Sequence, residues 1–459
     1  MLQFKTGLKR KLKRKFKTHF KKLEAVLALF ERTLPHVKLS KWYENASVHG
    51  ARASLRQHSQ NKKIGIEVPY KEAGDKSKLS LFSEIKKKRA FSEYEREYLN
   101  SAASVTAAVI KEFNGESGEE ESADIPFASA NELSDKIVST FLYKQTGLKN
   151  RQLLDEVLEF LKSLALRSYE THPISYGVLI HTSDEDAPTT KSAKFPADIV
   201  GEKRFQSLTD GYQTALNLGA NGEIRELVVL RSKEMPGKHY RPTWLDPLAE
   251  TALKRNALGI ALSRTGAILV VWKGNLILTY RSGGWLLWNH NENFAIIRDT
   301  IQTITGPQSQ AVSKLAAKLY RCALDISFQR SGGLFVILTN ANENLLKIIS
   351  SREKLMGKGR SKGDKAIGKW IQNRGVIGLD REILTDLAAL DGAVVVDRSG
   401  KILTYGAVLN TPKKGLSKIH GSRSRAAHSA SNYGISIKIS SDGDIEVKRK
   451  RTQILSTST

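Results

Sequence analysis

Two short segments near the C-terminus carry the side chains best suited to chemistry. The first, Leu390-Asp391-Gly392-Ala393, leads into the apolar strand Val394-Val395-Val396. An acid at the mouth of a strand, followed by Gly and Ala, leaves room for a ligand to approach the backbone. The second, Gly421-Ser422-Arg423-Ser424-Arg425-Ala426-Ala427, is typical of a helix N-terminus. There, backbone N–H groups, a hydroxyl and guanidinium groups can converge on phosphate oxygens.

Each segment alone also has an ordinary structural explanation, since Asp-Gly is a common turn and a basic helix start a common cap. Together, on a domain that begins with Arg330-Ser331-Gly332-Gly333-Leu334, they resemble the catalytic domain of DisA-type diadenylate cyclases. That family makes cyclic di-AMP from two ATP. Its signatures are Asp-Gly-Ala and, about thirty residues later, a stretch like Gly-Thr-Arg-His-Arg-Ala-Ala. The resemblance covers roughly residues 311–450.

The resemblance implies a role for each position. Asp391, Gly392 and Ala393 would form the catalytic segment, in which Asp391 binds a divalent metal ion, Mg²⁺ or Mn²⁺, and the ribose 3′-hydroxyl. Gly392 and Ala393 would give the nucleotide close access to the strand, and Leu390 would line the adenine and ribose pocket. The positions that would bind the phosphates of ATP are Gly421, Ser422, Arg423, Ser424 and Arg425.

The family also implies a partner. Each family active site holds one ATP, so two cyclase domains must face each other for each 3′-oxygen to attack the other α-phosphorus. The chain is therefore expected to form a homo-oligomer with face-to-face cyclase domains. Such chemistry relies on positioning and electrostatic stabilisation more than on covalent work by the protein.

Two positions depart from the family pattern. Ser424 replaces the central His, and a hydroxyl is a poorer ligand of metal or phosphate than an imidazole. The family tends to carry a Ser-Glu pair before the final turn, where this chain has Ser440-Ser441-Asp442. Spacing alone does not decide whether Asp442 replaces that Glu. These departures favour ATP binding over efficient turnover.

Other potential sites are weaker. Gly363–Lys369 matches the G-x-x-x-x-G-K half of a phosphate-binding loop, but Trp370 follows where Ser or Thr would bind Mg²⁺, and no strand is predicted before it. We therefore reject a P-loop. One cysteine, Cys322, excludes a disulfide framework and a multi-cysteine zinc site. The histidines at 172, 181, 239 and 290 lack metal-ligand spacing.

The charge of the chain is concentrated at its two ends. Of the net +26, residues 1–22 contribute +10 and residues 311–459 contribute +14, which leaves +2 for the residues between them. Both ends should attract phosphate. Phe4, Leu8, Leu12, Phe16 and Phe20 are four apart, so residues 1–22 are predicted to form a basic amphipathic helix. This helix can bind an anionic membrane surface, a nucleic acid or a protein partner, or pack on Leu23–Phe30.

Hydrophobic residues make up 40% of the 459 residues, enough for sizeable cores in two or three domains. The predicted fold is α/β: a C-terminal mixed β-sheet flanked by helices, a smaller α/β middle domain and a helical, basic N-terminal region. The predicted boundaries are a helical region 1–113, an acidic flexible linker 114–130, a helical lead-in with a sensor-like α/β domain 131–305, a cyclase-like domain 311–450 and a tail 451–459. Helix is predicted over Ser92–Phe113 and over Asn131–Tyr169, the second with an apolar stripe of Leu153, Leu154, Val157, Leu158 and Leu161. The strands predicted in the middle domain are Ile174–His181, Leu227–Leu230, Ala267–Val271 and Leu276–Arg281, the last two joined by a hairpin turn at Trp272–Asn275.

The sequence thus predicts a cytoplasmic diadenylate cyclase that is regulated by its N-terminal region and tethered or docked by residues 1–22. No apolar run approaches the 18 residues of a transmembrane helix. Two alternatives remain. One is a degenerate cyclase domain that binds ATP or a related nucleotide without turnover. The other is a nucleic-acid-binding protein, suggested by the cationic ends.

Overall fold

The structure is a computed structural model. The residues it describes are 29, 32–34, 37–39, 43–45, 54–57, 63–71, 78–87, 89–113, 130–169, 171–183, 193–199, 204–205, 208–231, 239–306, 310–355, 357, 360–411 and 420–457. The predicted basic helix at 1–22 and nearly all of the predicted linker at 114–130 lie outside them. Among the described helices, none has the length and apolar composition needed to cross a lipid bilayer.

The chain divides into two units. The first comprises Met1–Pro236, Pro247–Asn289 and Thr459, and the second comprises Gly237–Asp246 and His290–Ser458.

The first unit begins with a five-stranded antiparallel sheet, which corrects the predicted helical region 1–113. In Lys63–Lys71, apolar Ile64, Ile66 and Val68 alternate with other residues, and this period of two favours a strand. The segment also contains Gly65 and Pro69, which disfavour a helix, so the sequence itself carried evidence against the predicted helix. The helix predicted from Ser92 onward is confirmed as Glu93–Phe113. The strands are β1 (Val37–Leu39), β2 (Tyr43–Asn45), β3 (Ser54–Gln57), β4 (Lys63–Lys71) and β5 (Lys78–Lys87).

Four helices, a short hairpin and a seven-stranded sheet complete the described part of the first unit. The helical segment predicted over 131–169 is two helices separated by a turn, and Asn150 caps the second by accepting a hydrogen bond from the Leu153 N–H. The predicted apolar stripe of that second helix is buried. The helices are α1 (Glu93–Phe113), α2 (Ala130–Thr146), α3 (Arg151–Ala165) and α4 (Asp246–Lys254).

The seven-stranded sheet has the order β10-β9-β8-β11-β12-β13-β14, with only β8 and β9 parallel. The predicted hairpin at Lys273-Gly274 is confirmed, and both residues have the positive φ that a type I′ turn requires. β9, β11 and β14 were not predicted. The strands, with the short hairpin β6–β7, are β6 (Ser168–Tyr169), β7 (His172–Pro173), β8 (Tyr176–His181), β9 (Thr214–Leu218), β10 (Ile224–Val229), β11 (Ala257–Leu262), β12 (Ile268–Trp272), β13 (Asn275–Arg281) and β14 (Gly284–Leu287).

The second unit is a six-stranded mixed sheet with flanking helices, as predicted for the C-terminal domain. Its order is β17-β16-β15-β18-β19-β20, and β15 and β16 form the parallel pair. The elements are α5 (His290–Thr305), α6 (Gln310–Gln329), β15 (Gly333–Leu338), α7 (Ala341–Ile348), α8 (Lys362–Gly378), α9 (Arg381–Ala389), β16 (Ala393–Val396), β17 (Ile402–Ala407), α10 (Ser422–Ala430), β18 (Gly434–Ile439), β19 (Ile445–Arg449) and β20 (Thr452–Ser456).

The segment predicted as a tail, 451–459, contains the edge strand β20. Leu455 pairs with Val447 of β19 and is buried. The turn that joins the two strands is formed by Lys450 and Arg451, both with positive φ. Lys and Arg are not typical turn residues, so the sequence shows no turn signal there.

One face of this sheet supports the second chemical segment. Leu334, Val336 and Leu338 of β15 form an apolar cluster with Ala427 and Ala430 of α10. The first turn of α10 is thereby held beside the ends of the central strands.

Candidate functional site

Asp391 and Arg423, which are far apart in the sequence, lie side by side. Asp391 follows α9 and precedes β16, and Arg423 is in the first turn of α10. Nη2 of Arg423 lies 3.4 Å from Oδ1 of Asp391, and Nη1 donates to the carbonyl oxygen of Ser331 at 3.5 Å. Both distances are long for hydrogen bonds, so these two contacts hold the guanidinium near Asp391 only weakly.

The candidate site of Asp391 and Arg423 lies on the surface and is open to solvent. The Asp391 side chain is fully exposed and that of Arg423 is 31% exposed. Leu390, predicted to line the adenine and ribose pocket, is exposed and so presents an apolar surface next to Asp391. An exposed carboxylate beside a guanidinium can bind a metal ion and a phosphate together.

Asp391 is the carboxylate beside Arg423 that could hold a metal ion. Among the described residues, no group of three or more His, Cys, Asp or Glu side chains has the arrangement of a protein-only metal site.

Gly392 is required by the backbone. Its φ is +110°, and a Cβ atom added there would lie 2.5 Å from the carbonyl carbon of Gly406 and 2.7 Å from the backbone nitrogen of Ala407. Ala393, paired with Ala407, is buried in the apolar cluster under α10. The close contact between β16 and β17 is therefore a reason for small residues here that is independent of any ligand.

We expect Gly392→Ala to destabilise the second unit by about 2–3 kcal/mol, because it combines an unfavourable φ with a backbone clash. The free energy of unfolding from urea titrations measures this effect. Gly363→Ala is the matched control, since Gly363 lies in α8 without positive φ and its nearest contact would be Ser361 Oγ at 3.8 Å. Equal stability of the two variants would contradict the expectation.

The predicted phosphate-binding segment forms the start of α10. Gly421 is the N-cap residue with φ +83°, and Ser422 begins the nine-residue helix. Ser422 and Arg425 are exposed on this turn. Among the described side-chain contacts of the five predicted phosphate-binding residues, the one that reaches Asp391 comes from Arg423.

Ser424 contacts a residue that the sequence analysis missed. Nζ of Lys438, on β18, donates to Oγ of Ser424 at 3.0 Å and lies 2.8 Å from Oε1 of Glu446 on β19. The other carboxylate oxygen of Glu446 lies 2.7 Å from Nζ of Lys448. In the sequence, Lys438 alternates with Ile437 and Ile439 and looks like a solvent-facing residue of a strand. Only the packing of α10 over β18 shows its proximity to Ser424.

The two lysines set the ionisation of Glu446. Burial acts to raise the pKa of Glu446, but hydrogen bonds from Lys438 and Lys448 and their charges outweigh it and hold the pKa below its ordinary value. A carboxyl group whose pKa is lowered on folding stabilises the folded state above its unfolded pKa of about 4.3. This stabilisation is lost as the pH falls through the lower folded pKa.

We therefore expect wild-type protein and Glu446→Gln to differ in stability most at pH 6–7 and least near pH 3. Urea midpoints measured across this range test the prediction. Glu382→Gln, which alters an exposed carboxyl on α9, is the control and should show little pH-dependent difference from wild type. A difference for Glu446→Gln that is independent of pH would show that the lost interaction is not electrostatic.

The two remaining sequence segments lie elsewhere. Gly363–Lys369 belongs to α8, whose start is capped reciprocally by Ser361 and Asp364, so it is not a loop that could cradle phosphate. This agrees with the rejection of a P-loop. Ser440, Ser441 and Asp442 form the turn between β18 and β19, with Gly443 N–H bonded to Ser440 oxygen. Asp442 is exposed there.

The comparisons with known proteins are limited. No family model and no curated protein matches the chain. A hypothetical membrane-spanning protein from Bacillus cereus matches with a TM-score of 0.26 and 19% identity, over 36% of this chain and 71% of that one. A double-cysteine mutant of DacA from Staphylococcus aureus matches with a TM-score of 0.22 and 20% identity, over 32% of this chain and 91% of that one.

Proposed function

We propose that the second unit is a diadenylate cyclase domain, which condenses two ATP into cyclic di-AMP with release of pyrophosphate. The observation that carries the proposal is the approach of Arg423 to Asp391 at 3.4 Å at the N-terminus of α10. Two segments that resemble the cyclase motifs thereby contribute to one exposed site. A carboxylate, a guanidinium and a helix N-terminus are the groups that phosphoryl transfer from a nucleotide needs.

The reaction forms two phosphodiester bonds. The 3′-oxygen of each ribose attacks the α-phosphorus of the other ATP, the bond from that phosphorus to pyrophosphate breaks, and the hydroxyl proton is released. In this proposal, Asp391 would hold the 3′-hydroxyl and favour loss of its proton. Arg423 and the α10 N–H groups would stabilise charge on the phosphates as pyrophosphate leaves.

Asp391 would also hold a Mg²⁺ or Mn²⁺ ion together with the phosphates. When bound, the ion would neutralise phosphate charge and lower the pKa of an oxygen that it contacts. Because one chain offers one set of these groups, two copies of the chain would have to bring their sites together for each turnover. We propose that the first unit regulates this encounter.

A second function, nucleotide binding without turnover, is favoured by one observation. Ser424 stands where the family has an imidazole, and its hydroxyl contacts Lys438. A domain that has lost this group could retain ATP through Arg423 and α10 while failing to catalyse the transfer.

The decisive experiment incubates the purified full chain with ATP and either Mg²⁺ or Mn²⁺ and separates the products by chromatography. Cyclic di-AMP and pyrophosphate in a molar ratio of about 1:2, with a rate that rises faster than linearly with protein concentration, would support the cyclase. Saturable ATP binding without product, with both metals, would instead establish the degenerate domain. Absence of both ATP binding and product would overturn the assignment of this site.

A further inference from the structure

Lys438 occupies an unusual position for a cation. It lies on β18, with β15 on one side and β19 on the other, and is only 8% exposed. Side chains alternate along a strand, so Lys438 faces the opposite side from Ile437 and Ile439. Its register partner on β15 is Leu334, a member of the apolar cluster under α10. The ammonium group therefore lies on the face of the sheet that carries α10.

This face is also the face of the candidate site. β15 and β16 pair with Phe335 opposite Val394, which places Ala393 next to Leu334. Ala393, Leu334 and Lys438 thus form a row across three strands, with about 10 Å between the first and the last at the usual strand spacing. Strand β16 begins at Ala393, two residues after Asp391. Lys438, on β18, therefore lies two strands away from the proposed catalytic segment, on the same face of the sheet.

Lys438 is more than a counter-charge for Glu446. Lys448 already lies 2.7 Å from one oxygen of Glu446, and Lys438 lies 2.8 Å from the other. The trio thus carries a net charge of about +1 in a half-buried setting, where an uncompensated charge is costly. The Lys438 ammonium group also contacts Ser424, which lies in the same helical turn as Arg423.

The hydrogen bond between Lys438 and Ser424 has a fixed direction. An ammonium group can only donate, so Oγ of Ser424 accepts, and its own O–H remains available to donate. A hydroxyl that accepts from a cation is a stronger donor than an isolated one, because chained hydrogen bonds polarise one another. The acceptor best suited to this position, beside a guanidinium and a helix N-terminus, is a phosphate oxygen.

We propose that Lys438 and Ser424 form a phosphate-binding pair, in which Lys438 orients and polarises Ser424 so that its hydroxyl donates to a phosphate oxygen of bound ATP. Lys438 is thus a positioning residue, and its hydrogen bond makes the Ser424 hydroxyl a stronger donor than a serine alone would be. The inference rests on the proposed nucleotide-binding function of this site and identifies how the phosphates are recognised there.

The test measures binding of two probes to the full chain by calorimetry in the presence of Mg²⁺. The first, 3′-deoxy-ATP, carries the triphosphate but cannot react, and the second, adenosine, carries no phosphate. Lys438→Met and Ser424→Ala should each weaken 3′-deoxy-ATP binding by about tenfold to a hundredfold, the usual worth of a charge-assisted hydrogen bond. Adenosine binding should stay unchanged, and the double variant should be little worse than either single variant.

Lys448→Met is the matched control, because it removes the other lysine of Glu446 and leaves Ser424 untouched. If Lys438 only neutralises Glu446, Lys438→Met and Lys448→Met will affect 3′-deoxy-ATP binding equally and Ser424→Ala will have no effect, which overturns the inference. If Lys438→Met does not fold, the effect of Ser424→Ala on 3′-deoxy-ATP binding decides the question. We expect this variant to fold, because it removes a partly exposed hydroxyl and leaves no buried cavity. Failure of wild-type protein to bind 3′-deoxy-ATP would overturn the proposed function itself.

Discussion

Asp391→Asn is expected to lower the rate of cyclic di-AMP formation by at least about 10³-fold while the domain stays folded. The amide keeps the size of the side chain but removes the negative charge that a metal ion and a 3′-hydroxyl proton both require. Because the Asp391 side chain is fully exposed, the change disturbs no packing. The measurement is the initial rate of product formation, with circular dichroism as the check on folding.

Asp386→Asn is the control for this substitution. Asp386 lies on α9 five residues earlier and is also exposed, so the change in charge and size is identical. We expect its rate to remain within about twofold of wild type, as is usual for surface substitutions away from a site. Comparable rates for Asp391→Asn and wild-type protein would remove Asp391 from the mechanism.

The core of the candidate site could be predicted because each half is a local motif. Asp391 is followed by Gly and Ala at the start of a strand, and Arg423 follows Gly421 at the start of a helix. Both features depend on residues within a few positions of one another. Their proximity, in contrast, follows from the pairing of β15 with β16 and from the packing of α10 over β15, which no short segment encodes.

Lys438 could not be predicted for the same reason. Its partners Ser424 and Glu446 are 14 and 8 residues away and belong to different elements. In the sequence, the alternation of residues identifies two faces of β18, and Lys438 suggests that its own face is exposed to water. In the structure α10 covers that face, so Lys438 is a buried polar residue with specific partners.

The fold prediction failed where composition and periodicity disagreed. Lys and Glu are frequent in residues 63–87, and this composition favoured the prediction of a helix. In the structure these residues form β4 and β5, which pair from Lys63 opposite Lys86 to Lys71 opposite Lys78. The strands β9 and β11 were missed for another reason. β11 is buried at every position and has no alternation to detect. Short, uniformly apolar strands are difficult to distinguish from helix in a sequence.

The integrity of the second unit depends on a buried ionic network centred on Asp325. Its carboxylate accepts from the backbone N–H of Thr243 at 2.7 Å and from Nε and Nη2 of Arg381 at 2.5 and 2.8 Å. Nη2 of Arg381 also donates to the carbonyl oxygen of Arg241 at 2.7 Å. The network thus links α6 and α9, which flank the sheet, to Gly237–Asp246. α9 ends at Ala389, two residues before Asp391.

We expect Asp325→Asn to lower the free energy of unfolding of the second unit by about 3–5 kcal/mol, because it leaves the Arg381 guanidinium, only 15% exposed, without its counter-charge. The Asp325 side chain is 4% exposed, so water cannot replace the lost partner. Hydrogen–deuterium exchange of β15 as a function of urea measures the stability of this unit separately from the first. The same variant should also reduce product formation, because α9 positions the segment that carries Asp391.

A double variant distinguishes an electrostatic network from simple packing. Asp325→Asn combined with Arg381→Met removes both charges, so it should be more stable than Asp325→Asn alone even though it changes more atoms. Asp299→Asn, which breaks the exposed ion pair with Arg298, should cost no more than about 1 kcal/mol. If the double variant were as unstable as the sum of its single substitutions, Asp325 and Arg381 would contribute independently, and the buried charge would not be what couples α6 to α9.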